Sequence, residues 1–371
     1  MATDMNKIIP ITKPFMPPAE EYQAYLKGIW EREWLTNNGP LVQELEKKLK
    51  KYLEVDNLLF LNNGTAALQF AIRSLQLKGE IITTPFSYIA TTSSIVWERC
   101  RPVFVDIEQE SLNLNPALIE NSITSYTSAI LATHIFGNPC DVDAIQKVAN
   151  KHNLKVIYDA AHCFGSSYKG RSIYRYGDIS TASFHATKLF QTVEGGAVIT
   201  SESELNRRIE YMRNFGHDGP ENYRGVGING KNSELHAAMG LCNLVYAERI
   251  LNSRKMQSLY YDKLLSELNA KKPAVLQDAD INYSYYPLIF EHESMVVDIK
   301  NALEKDEIFT RRYFYPSLTQ LDYVGEQTSP VCSELAPRIL CLPIYYDLQE
   351  SDQERIASII LHAQHHCTSI I

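Results

Sequence analysis

Residues 181–200 read TASFHATKLFQTVEGGAVIT, and the fold class can be inferred by working outward from them. Two apolar runs, Thr181–Phe184 and Ala197–Thr200, have the length and composition of buried strands. Lys188 follows the first run among small and apolar residues. A Gly-Gly pair precedes the second run and permits close packing where the chain re-enters a sheet. The stretch therefore predicts a lysine at the edge of a sheet.

Upstream of this stretch, short apolar runs alternate with helical patterns. Alternation of this kind predicts an α/β fold, with a mostly parallel mixed sheet and helices on both faces. The further candidate strands are Leu58–Leu61, Ile81–Thr84, Val103–Asp106, Ile130–His134 and Val156–Asp159. Between the first two, Ala66–Leu75 has apolar residues at helical spacing.

The pattern changes after about residue 240, where a long helical run, Ser233–Leu268, leads into short strands and further helices. The candidate strands are Ala274–Leu276, Tyr285–Phe290 and Ile339–Leu342, and the helices are Met295–Lys305 and Ser351–Ala363. The last helix opens with Ser351-Asp-Gln-Glu354, a capping-box pattern. We therefore expect a large domain over residues 1–240, N-terminal segment included, and a smaller C-terminal α/β domain over residues 241–371.

Polar residues directly follow several predicted strands. They are Asn62-Asn63-Gly64-Thr65, Tyr88, His134, Asp159-Ala-Ala-His162 and His185-Ala-Thr-Lys188. Ligands of parallel sheets bind beyond the carboxyl ends of the strands. We therefore expect these residues to meet at one edge of the sheet.

The segment Asn62–Leu68 runs from a strand end into a helix start. A helix N-terminus offers free N–H groups and partial positive charge, which suit a phosphate. Gly64 lets the backbone approach an anion, and Thr65 can cap the helix and donate its hydroxyl. The segment fits a phosphate site, and it also fits a plain helix cap.

Asp159 ends a buried strand, where a carboxylate can hold a proton on a pyridine nitrogen. The common alternative is a capping or ion-paired aspartate. His162 can contact a cofactor or fill the packing beneath it, and Tyr88 can stack on a flat ring or belong to the core. Lys188 can be a nucleophile with a depressed pKa or a solvated surface residue, and Ser183 offers a phosphate ligand beside it.

Composition excludes several classes of function. The net charge of -8 argues against a nucleic-acid partner, and no apolar stretch is long enough for a membrane span. Seven scattered cysteines argue against a disulfide framework or zinc site and favour a reduced, cytoplasmic compartment. A nicotinamide dehydrogenase would need a G-x-G-x-x-G after the first strand, and this sequence has none there, which argues against that class of enzyme. His362, His365 and His366 hint at a metal only weakly, so no metal is expected.

Together these residues resemble the sugar aminotransferases of the DegT/StrS family, within the fold-type I pyridoxal-phosphate (PLP) enzymes. The resemblance covers nearly the whole chain. The motifs are Trp34-Leu-Thr-Asn-Asn-Gly39, Asn63-Gly-Thr-Ala-Ala-Leu68, Pro102-Val-Phe-Val-Asp106, Asp159-Ala-Ala-His162, Ser183-Phe-His-Ala-Thr-Lys188, Glu194-Gly-Gly-Ala197 and Arg312-Tyr-Phe-Tyr-Pro316. The ordered set is far more specific than any one motif.

The resemblance implies a role for each residue around the cofactor ring. Lys188 would hold PLP through a Schiff base and shuttle protons. Asp159 would pair with the pyridine nitrogen, Tyr88 would stack on the ring, and His162 would lie near the ring hydroxyl. The cofactor would alternate with pyridoxamine phosphate during turnover.

The resemblance also implies a homodimer with shared active sites. Gly64, Thr65 and Ser183 would hold the phosphate, joined by an asparagine of the neighbouring subunit at the position of Asn229. The commoner family pattern has Asn-Tyr-Arg where this chain has Asn229-Gly230-Lys231, so we expect the residues that line the sugar pocket to differ from those of the average member. The Gly-Ile-Asn-Gly-Lys form resembles the branch that makes 4-amino-4,6-dideoxyglucose on a thymidine diphosphate carrier.

The resemblance thus implies amino transfer from glutamate to a nucleotide-linked keto-sugar, for cell-surface polysaccharide such as O-antigen. Cations near a diphosphate are needed, and Lys231, Arg311 and Arg312 are candidates, with ordinary surface charge as the alternative. Tyr313 and Tyr315 can face sugar or nucleotide, or pack at an interface. The alternatives are amination at C3, a dehydratase branch that has histidine in place of Lys188, and a non-catalytic regulator.

Overall fold

The computed structural model of the protein describes residues 8–368, with side chains up to residue 364. The strands are β1 (Asn57–Leu61), β2 (Glu80–Thr83), β3 (Arg101–Phe104), β4 (Thr127–Thr133), β5 (Lys155–Asp159), β6 (Ser167–Tyr168), β7 (Arg171–Ser172), β8 (Ile179–Ser183), β9 (Gly196–Thr200), β10 (Ala270–Lys271), β11 (Ala279–Asp280), β12 (Tyr286–Phe290) and β13 (Ile339–Leu342). The helices are α1 (Ala19–Arg32), α2 (Pro40–Tyr52), α3 (Gly64–Ser74), α4 (Ile89–Trp97), α5 (Val142–His152), α6 (Ser203–Met212), α7 (Glu234–Val245), α8 (Ala247–Leu264), α9 (Glu293–Lys305), α10 (Pro330–Leu335) and α11 (Glu350–Thr368).

The main sheet has seven strands in the order β1-β9-β8-β5-β4-β2-β3. Neighbours from β8 to β3 pair in parallel, whereas β9 runs antiparallel to both β8 and β1. Gly196 of β9 lies opposite Leu61 of β1 and Ser183 of β8. The expected α/β fold with a mostly parallel mixed sheet is confirmed.

Helices cover both faces of this sheet because successive strand residues point to opposite sides. Phe60 and Ile82 belong to one buried cluster, with residues of α2, α5 and α7. Leu59 and Ile81 belong to the cluster on the other face, with residues of α3 and α6. The near-continuous apolar runs of the sequence thus have a physical cause, since both faces of each strand are buried.

A second core lies in the C-terminal part of the chain. It packs α8, α9 and α11 against the small sheet β10-β12-β13. Ile9 joins this core and pairs with Ile308. Position 240, the expected domain boundary, lies within α7, which packs on the large-domain side with α1 and α2. The division into two domains stays a prediction.

Three local expectations in this region were wrong. The helical run Ser233–Leu268 is interrupted at Tyr246, where α7 ends and α8 begins. Residues 274–276 are not a strand, because the backbone N–H of Ala274 is bonded to the Glu110 carbonyl and that of Leu276 to the Asn138 side chain. Ser351 is not a cap, because α11 already begins at Glu350. Hydrogen bonds to the distant residues Glu110 and Asn138 therefore fix the conformation of residues 274–276.

None of the helices within residues 8–368 has the length and apolar character needed to cross a bilayer.

Candidate functional site

The carboxyl ends of the parallel strands form the edge of a cleft beside Lys188. Asp159 is the last residue of β5, and Lys188 lies in the loop after β8. The cleft is lined by Ala161, His162, Ser183, Lys188, Ser284 and Tyr285, among others. The sequence-predicted Lys188, His162 and Ser183 therefore share one cavity, which also receives residues of the C-terminal region.

The loop that carries Lys188 is fixed by backbone hydrogen bonds. The N–H of Phe184 donates to the Gly195 carbonyl, and that of Thr192 donates to the Phe184 carbonyl, each over 2.8 Å. The N–H of Lys188 itself donates to the His185 carbonyl over 2.8 Å. Such a loop holds its lysine at a defined place on the sheet edge.

Lys188 is half-buried, and its charge state follows from its surroundings. Burial lowers the pKa of Lys188 to about 8, with Asp159 opposing the fall and Arg311 adding to it. A lysine with a depressed pKa is a nucleophile near neutral pH, because a larger share of the amine is uncharged. This is the electrostatic behaviour expected of the candidate catalytic residue.

Asp159 is buried and accepts hydrogen bonds from two neighbours. Thr91 of α4 donates its hydroxyl to Oδ2 over 2.7 Å, and the Ala161 N–H donates to Oδ1 over 3.2 Å. Ser87 extends the network, with its Oγ 2.8 Å from Thr91 Oγ1 and 2.9 Å from Thr133 Oγ1. Burial raises the pKa of Asp159, while Thr91, Ala161 and Lys188 oppose the rise. The donors favour the ionised carboxylate.

His162 is buried within an aromatic environment. Its ring stacks on Phe314 with 5.6 Å between centroids and meets Tyr285 edge-on at 4.8 Å. Burial lowers the pKa of His162 well below its ordinary value, so the imidazole is neutral. Nδ1 has no hydrogen-bond partner among the described residues. A buried polar atom without a partner is a natural contact for a ligand.

Tyr88 is 57% exposed, so it does not belong to the core of this chain. It directly precedes α4, and its neighbour Ser87 belongs to the hydroxyl network that ends on Asp159. The backbone of Tyr88 is therefore anchored beside the candidate site, while its ring is available for contact.

The N-terminus of α3 and the end of β8 meet closely. A Cβ atom on Gly64 would lie 2.9 Å from the Ser183 Cβ, so only glycine fits there without displacing a neighbour. A Cβ on Gly196 would collide with the Asn63 carbonyl and lie 2.6 Å from the Gly64 nitrogen. The helix cap is Asn63, which accepts from the Ala66 N–H over 2.7 Å, so the expectation that Thr65 caps the helix was wrong.

These features fit PLP. Thr65 is exposed in the first turn of α3, and the partial positive charge of a helix N-terminus suits a phosphate. His162 Nδ1 and Asn62 Oδ1 are buried without partners in the described part of the chain. Asp159 supplies an acceptor for a pyridinium N–H, and Lys188 supplies the amine.

Asn229 and Lys231 lie on a segment packed against the site. Asn229 is exposed, and the carbonyl of Gly230 accepts from the Asn62 N–H over 3.0 Å. Lys231 donates to the Asn214 side chain over 2.7 Å and lies 4.8 Å from the Phe215 ring centroid. Lys231 thus already has partners in its own chain.

The two arginines of the Arg-Arg-Tyr motif have different surroundings. Arg312 forms an ion pair with Glu293, donates to the Pro337 carbonyl over 3.0 Å, and stacks on Tyr315. Arg311 is exposed and lies 4.8 Å from the Tyr313 ring centroid, and its positive charge lowers the pKa of Lys188. Arg311 is therefore better placed than Arg312 to meet an anionic substrate.

The sheet edge also receives residues that differ from expectation. His134 is fully buried, its Nδ1 accepts from the Cys140 N–H over 3.0 Å, its ring stacks on Tyr158, and its Nε2 has no partner among the described residues, so a contact of His134 with a ligand stays a prediction. Thr91, Tyr285 and Phe314 were missed. The Ser87–Thr91 spacing of one helical turn was a weak signal for Thr91, and nothing local marks the other two.

No group of His, Cys, Asp or Glu within the described side chains could hold a metal ion. His365 and His366, two of the three histidines considered for metal binding, lie outside the described side chains.

Comparison with known proteins identifies close relatives over the full length. The dTDP-4-amino-4,6-dideoxy-D-glucose transaminase of Shigella dysenteriae is 42% identical over 367 residues, which are 96% of this chain and 99% of the relative. The Escherichia coli transaminase of the same name is 39% identical over 371 residues, again 96% and 99% of the two chains.

Solved structures agree with this result. The structure of DesI in the presence of its TDP-sugar product has a TM-score of 0.92 to this chain at 30% identity, and the match covers 98% of this chain and 95% of DesI. The sequence model of the DegT/DnrJ/EryC1/StrS aminotransferase family matches residues 18–361. The chain therefore belongs to this family of aminotransferases.

Proposed function

We propose that the enzyme transfers an amino group from glutamate to dTDP-4-keto-6-deoxyglucose and makes dTDP-4-amino-4,6-dideoxyglucose. The observation that supports this substrate is the 42% identity, over nearly the full length, to a transaminase named for that product. The geometry supports the reaction class, because Lys188, Asp159 and His162 are close together at one sheet edge. The product would serve cell-surface polysaccharide such as O-antigen.

The family's chemistry depends on PLP, and the residues present can hold it. Gly64, Thr65 and Ser183 would hold the phosphate, and Asp159 would keep the proton on the pyridine nitrogen. When bound, PLP supplies an electron sink that acidifies the C–H bond next to the substrate nitrogen. His162 would meet the ring through its unpartnered Nδ1.

The role of Lys188 in the chemical step is to move a proton. Its lowered pKa leaves part of the amine uncharged near neutral pH, so Nζ can accept a proton from carbon and return it. One lysine would serve the glutamate half and the sugar half of the reaction, between which the cofactor alternates with pyridoxamine phosphate. Removing the amine should lower the rate by about 100-fold or more.

We propose that the active enzyme is a homodimer with shared sites. The segment that carries Asn229 exposes Phe215, Tyr223, Val226 and Ile228 within a few residues of one another. Apolar residues concentrated in this way on a surface are typical of an interface. A second copy would cover them and bring its Asn229 to the phosphate.

The substrate contacts follow from which cations have partners. Arg311 would meet the nucleotide diphosphate, and Tyr313 and Tyr315 would line the approach to it. Lys231 and Arg312 were proposed for the same task, and each would have to exchange a partner in its own chain, Asn214 and Glu293 respectively. Arg311 contacts Tyr313, but it is exposed and would meet an anion without giving up an ion pair or an amide partner, which supports its assignment.

Two further expectations remain part of the proposal. The enzyme would work in the cytoplasm, since the six cysteines among the described side chains are free and buried. Residues 1–240 and 241–371 would form its large and small domains, with α7 as the element that crosses the boundary.

The test is product analysis by NMR after PLP-loaded enzyme is incubated with glutamate and dTDP-4-keto-6-deoxyglucose, with Lys188→Ala as the inactive control. Nitrogen on C4 of the sugar supports the proposal. A parallel incubation uses a dTDP-3-keto-6-deoxyhexose, and nitrogen on C3 of that sugar with no turnover of the 4-keto sugar refutes the proposal in favour of the C3 aminotransferase. PLP-loaded enzyme without turnover on any nucleotide keto-sugar would favour the non-catalytic regulator.

Shared sites are tested by mixing Lys188→Ala with Asn229→Ala subunits, each inactive or weakened alone. A heterodimer has one site with both residues intact, so activity should recover to a measurable fraction. Verified heterodimers that show no recovery contradict the assignment of Asn229.

A further inference from the structure

Arg254 is a buried cation behind the wall of the Lys188 cleft. It lies on α8, is 4% exposed, and has no carboxylate within 4.0 Å among the described side chains. One guanidinium nitrogen donates to the Ser284 carbonyl over 2.9 Å, and Nε has no partner in the same part of the chain. Burying a charge without a counter-charge is costly, so an apolar residue would stabilise this position better.

The carbonyl that Arg254 holds belongs to the turn that delivers Tyr285 to the cleft. The Tyr285 ring is fixed by aromatic neighbours, with centroid distances of 4.8 Å to His162, 5.3 Å to Phe136 and 5.0 Å to Tyr313. No hydrogen bond to its hydroxyl is formed by the residues that the structure describes. A phenol with a fixed ring and an unpaired hydroxyl, in the cavity of Lys188, is prepared for a ligand.

Two cations near this phenol oppose part of the effect of its burial. Burial raises the pKa of Tyr285 well above its ordinary value, with Tyr313 and Cys341 adding to the rise and Arg254 and Arg311 opposing it. A positive charge near a phenol polarises its O–H bond and favours donation. Arg254 therefore affects Tyr285 through the backbone turn that it holds, and its charge opposes the rise in the pKa of the phenol that burial causes.

We propose that the Tyr285 hydroxyl donates a hydrogen bond to a sugar oxygen of the substrate and that Arg254 is the positioning residue for this contact. The inference rests on the proposed function, because it takes a sugar as the ligand of the cleft. It assigns a direct substrate contact to a residue outside the sheet edge and a purpose to an otherwise unfavourable buried charge.

The experiment compares PLP-loaded wild type, Tyr285→Phe, Arg254→Met and the double variant. For each protein, kcat/KM for the keto-sugar and the rate of the glutamate half-reaction are measured, together with Tm. Tyr285→Phe should lower kcat/KM for the sugar by about 10- to 100-fold and leave the glutamate half within about twofold. Tyr283→Phe, two residues away and outside this cavity, is the matched control and should change neither rate.

Arg254→Met should lower kcat/KM for the sugar by a similar factor without lowering Tm, since it removes an uncompensated buried charge. If Arg254 acts through Tyr285, the double variant should be no worse than Tyr285→Phe alone. Arg254→Lys keeps the charge and should recover part of the loss.

Unchanged sugar kinetics in Tyr285→Phe overturn the proposed contact between Tyr285 and the sugar. This variant alone tests that contact, so the test holds even if Arg254→Met does not fold. Equal losses in both half-reactions also overturn it, because they indicate a general effect on Lys188 or the cofactor. Independent, multiplying losses in the double variant overturn the positioning role. Failure of the proposed function looks different, since wild type itself would then not turn over the sugar.

Discussion

Replacing Thr91 by valine tests whether the ionised state of Asp159 depends on its hydroxyl neighbour. Thr91 donates over 2.7 Å to a carboxylate that is buried. Valine keeps the shape and the β-branch and removes only the donor. A hydrogen bond to a charged group contributes about 1.5–3 kcal/mol, which corresponds to about 10- to 150-fold in an equilibrium constant.

The effect on cofactor affinity depends on pH. Burial raises the pKa of Asp159 above its ordinary value of 3.8, so the folded protein holds the proton over a window that begins near 3.8 and extends upward. The stability that this protonated form contributes is lost as pH rises through the folded-state pKa. Removing Thr91 raises the pKa further and extends the window.

Cofactor binding requires the carboxylate, because only that form accepts the pyridinium proton. In the empty site of Thr91→Val, Asp159 can take up a proton and so avoid part of the free-energy cost of losing the hydrogen bond. In the PLP-loaded site Asp159 must stay ionised, so the full cost remains. The Kd for PLP should therefore rise at most about 10- to 150-fold, with the largest rise at the acidic end of the pH range.

The assay is absorbance titration of the cofactor-free protein with PLP between about pH 6 and 9. Thr92→Val is the matched control, because Thr92 is the next residue of α4, is equally buried, and has an Oγ1 without a partner in the described chain. It should leave Kd unchanged and Tm unchanged or higher. A Kd for Thr91→Val equal to wild type at every pH would refute the reasoning.

Further predictions concern single residues of the site and its frame. Lys188 in the cofactor-free protein should react with an amine-acylating reagent with a midpoint near pH 8, because burial disfavours the ammonium form; peptide mass analysis that gives a midpoint near an ordinary lysine's 10.5 would contradict this. Gly196→Ala should lower Tm by several degrees and weaken PLP binding, since its Cβ meets backbone, whereas Gly170→Ala, with nothing near its Cβ, should leave PLP binding intact. Glu234→Gln should cost about 1–3 kcal/mol in unfolding free energy by denaturant titration, because its two oxygens accept from the Leu41 and Val42 N–H groups over 3.0 Å each; an unchanged midpoint would count against that role.

The sheet and its edge could be predicted from the sequence because both are local properties. Runs buried on both faces are continuously apolar, and a residue just after such a run must lie at the carboxyl edge. Lys188, Asp159 and Gly64 were placed in this way, and the structure puts each of them at that edge. Their roles toward the cofactor stay predictions.

The rest depends on contacts between distant parts of the chain. His134 occupies an equivalent strand end, yet its ring is fully buried, where it stacks on Tyr158 and its Nδ1 accepts from the Cys140 N–H. Tyr285 lines the cleft and Phe314 stacks on His162, and the local sequence of these two C-terminal residues gives no sign of either contact. Local sequence identifies where a strand ends, whereas the direction of a side chain depends on what packs beside it.

The antiparallel strand β9 has a consequence for how the site is assembled during folding. It lies between β1 and β8, and its Gly196 leaves the gap through which Gly64 and Ser183 approach each other. Gly64 and Ser183, which are proposed to hold the cofactor phosphate, come from segments far apart in the chain and meet only when β9 lies between β1 and β8. If these residues bind the phosphate as proposed, the chain would gain affinity for PLP only once β1, β9 and β8 have paired, and PLP binding would report that this part of the sheet has formed.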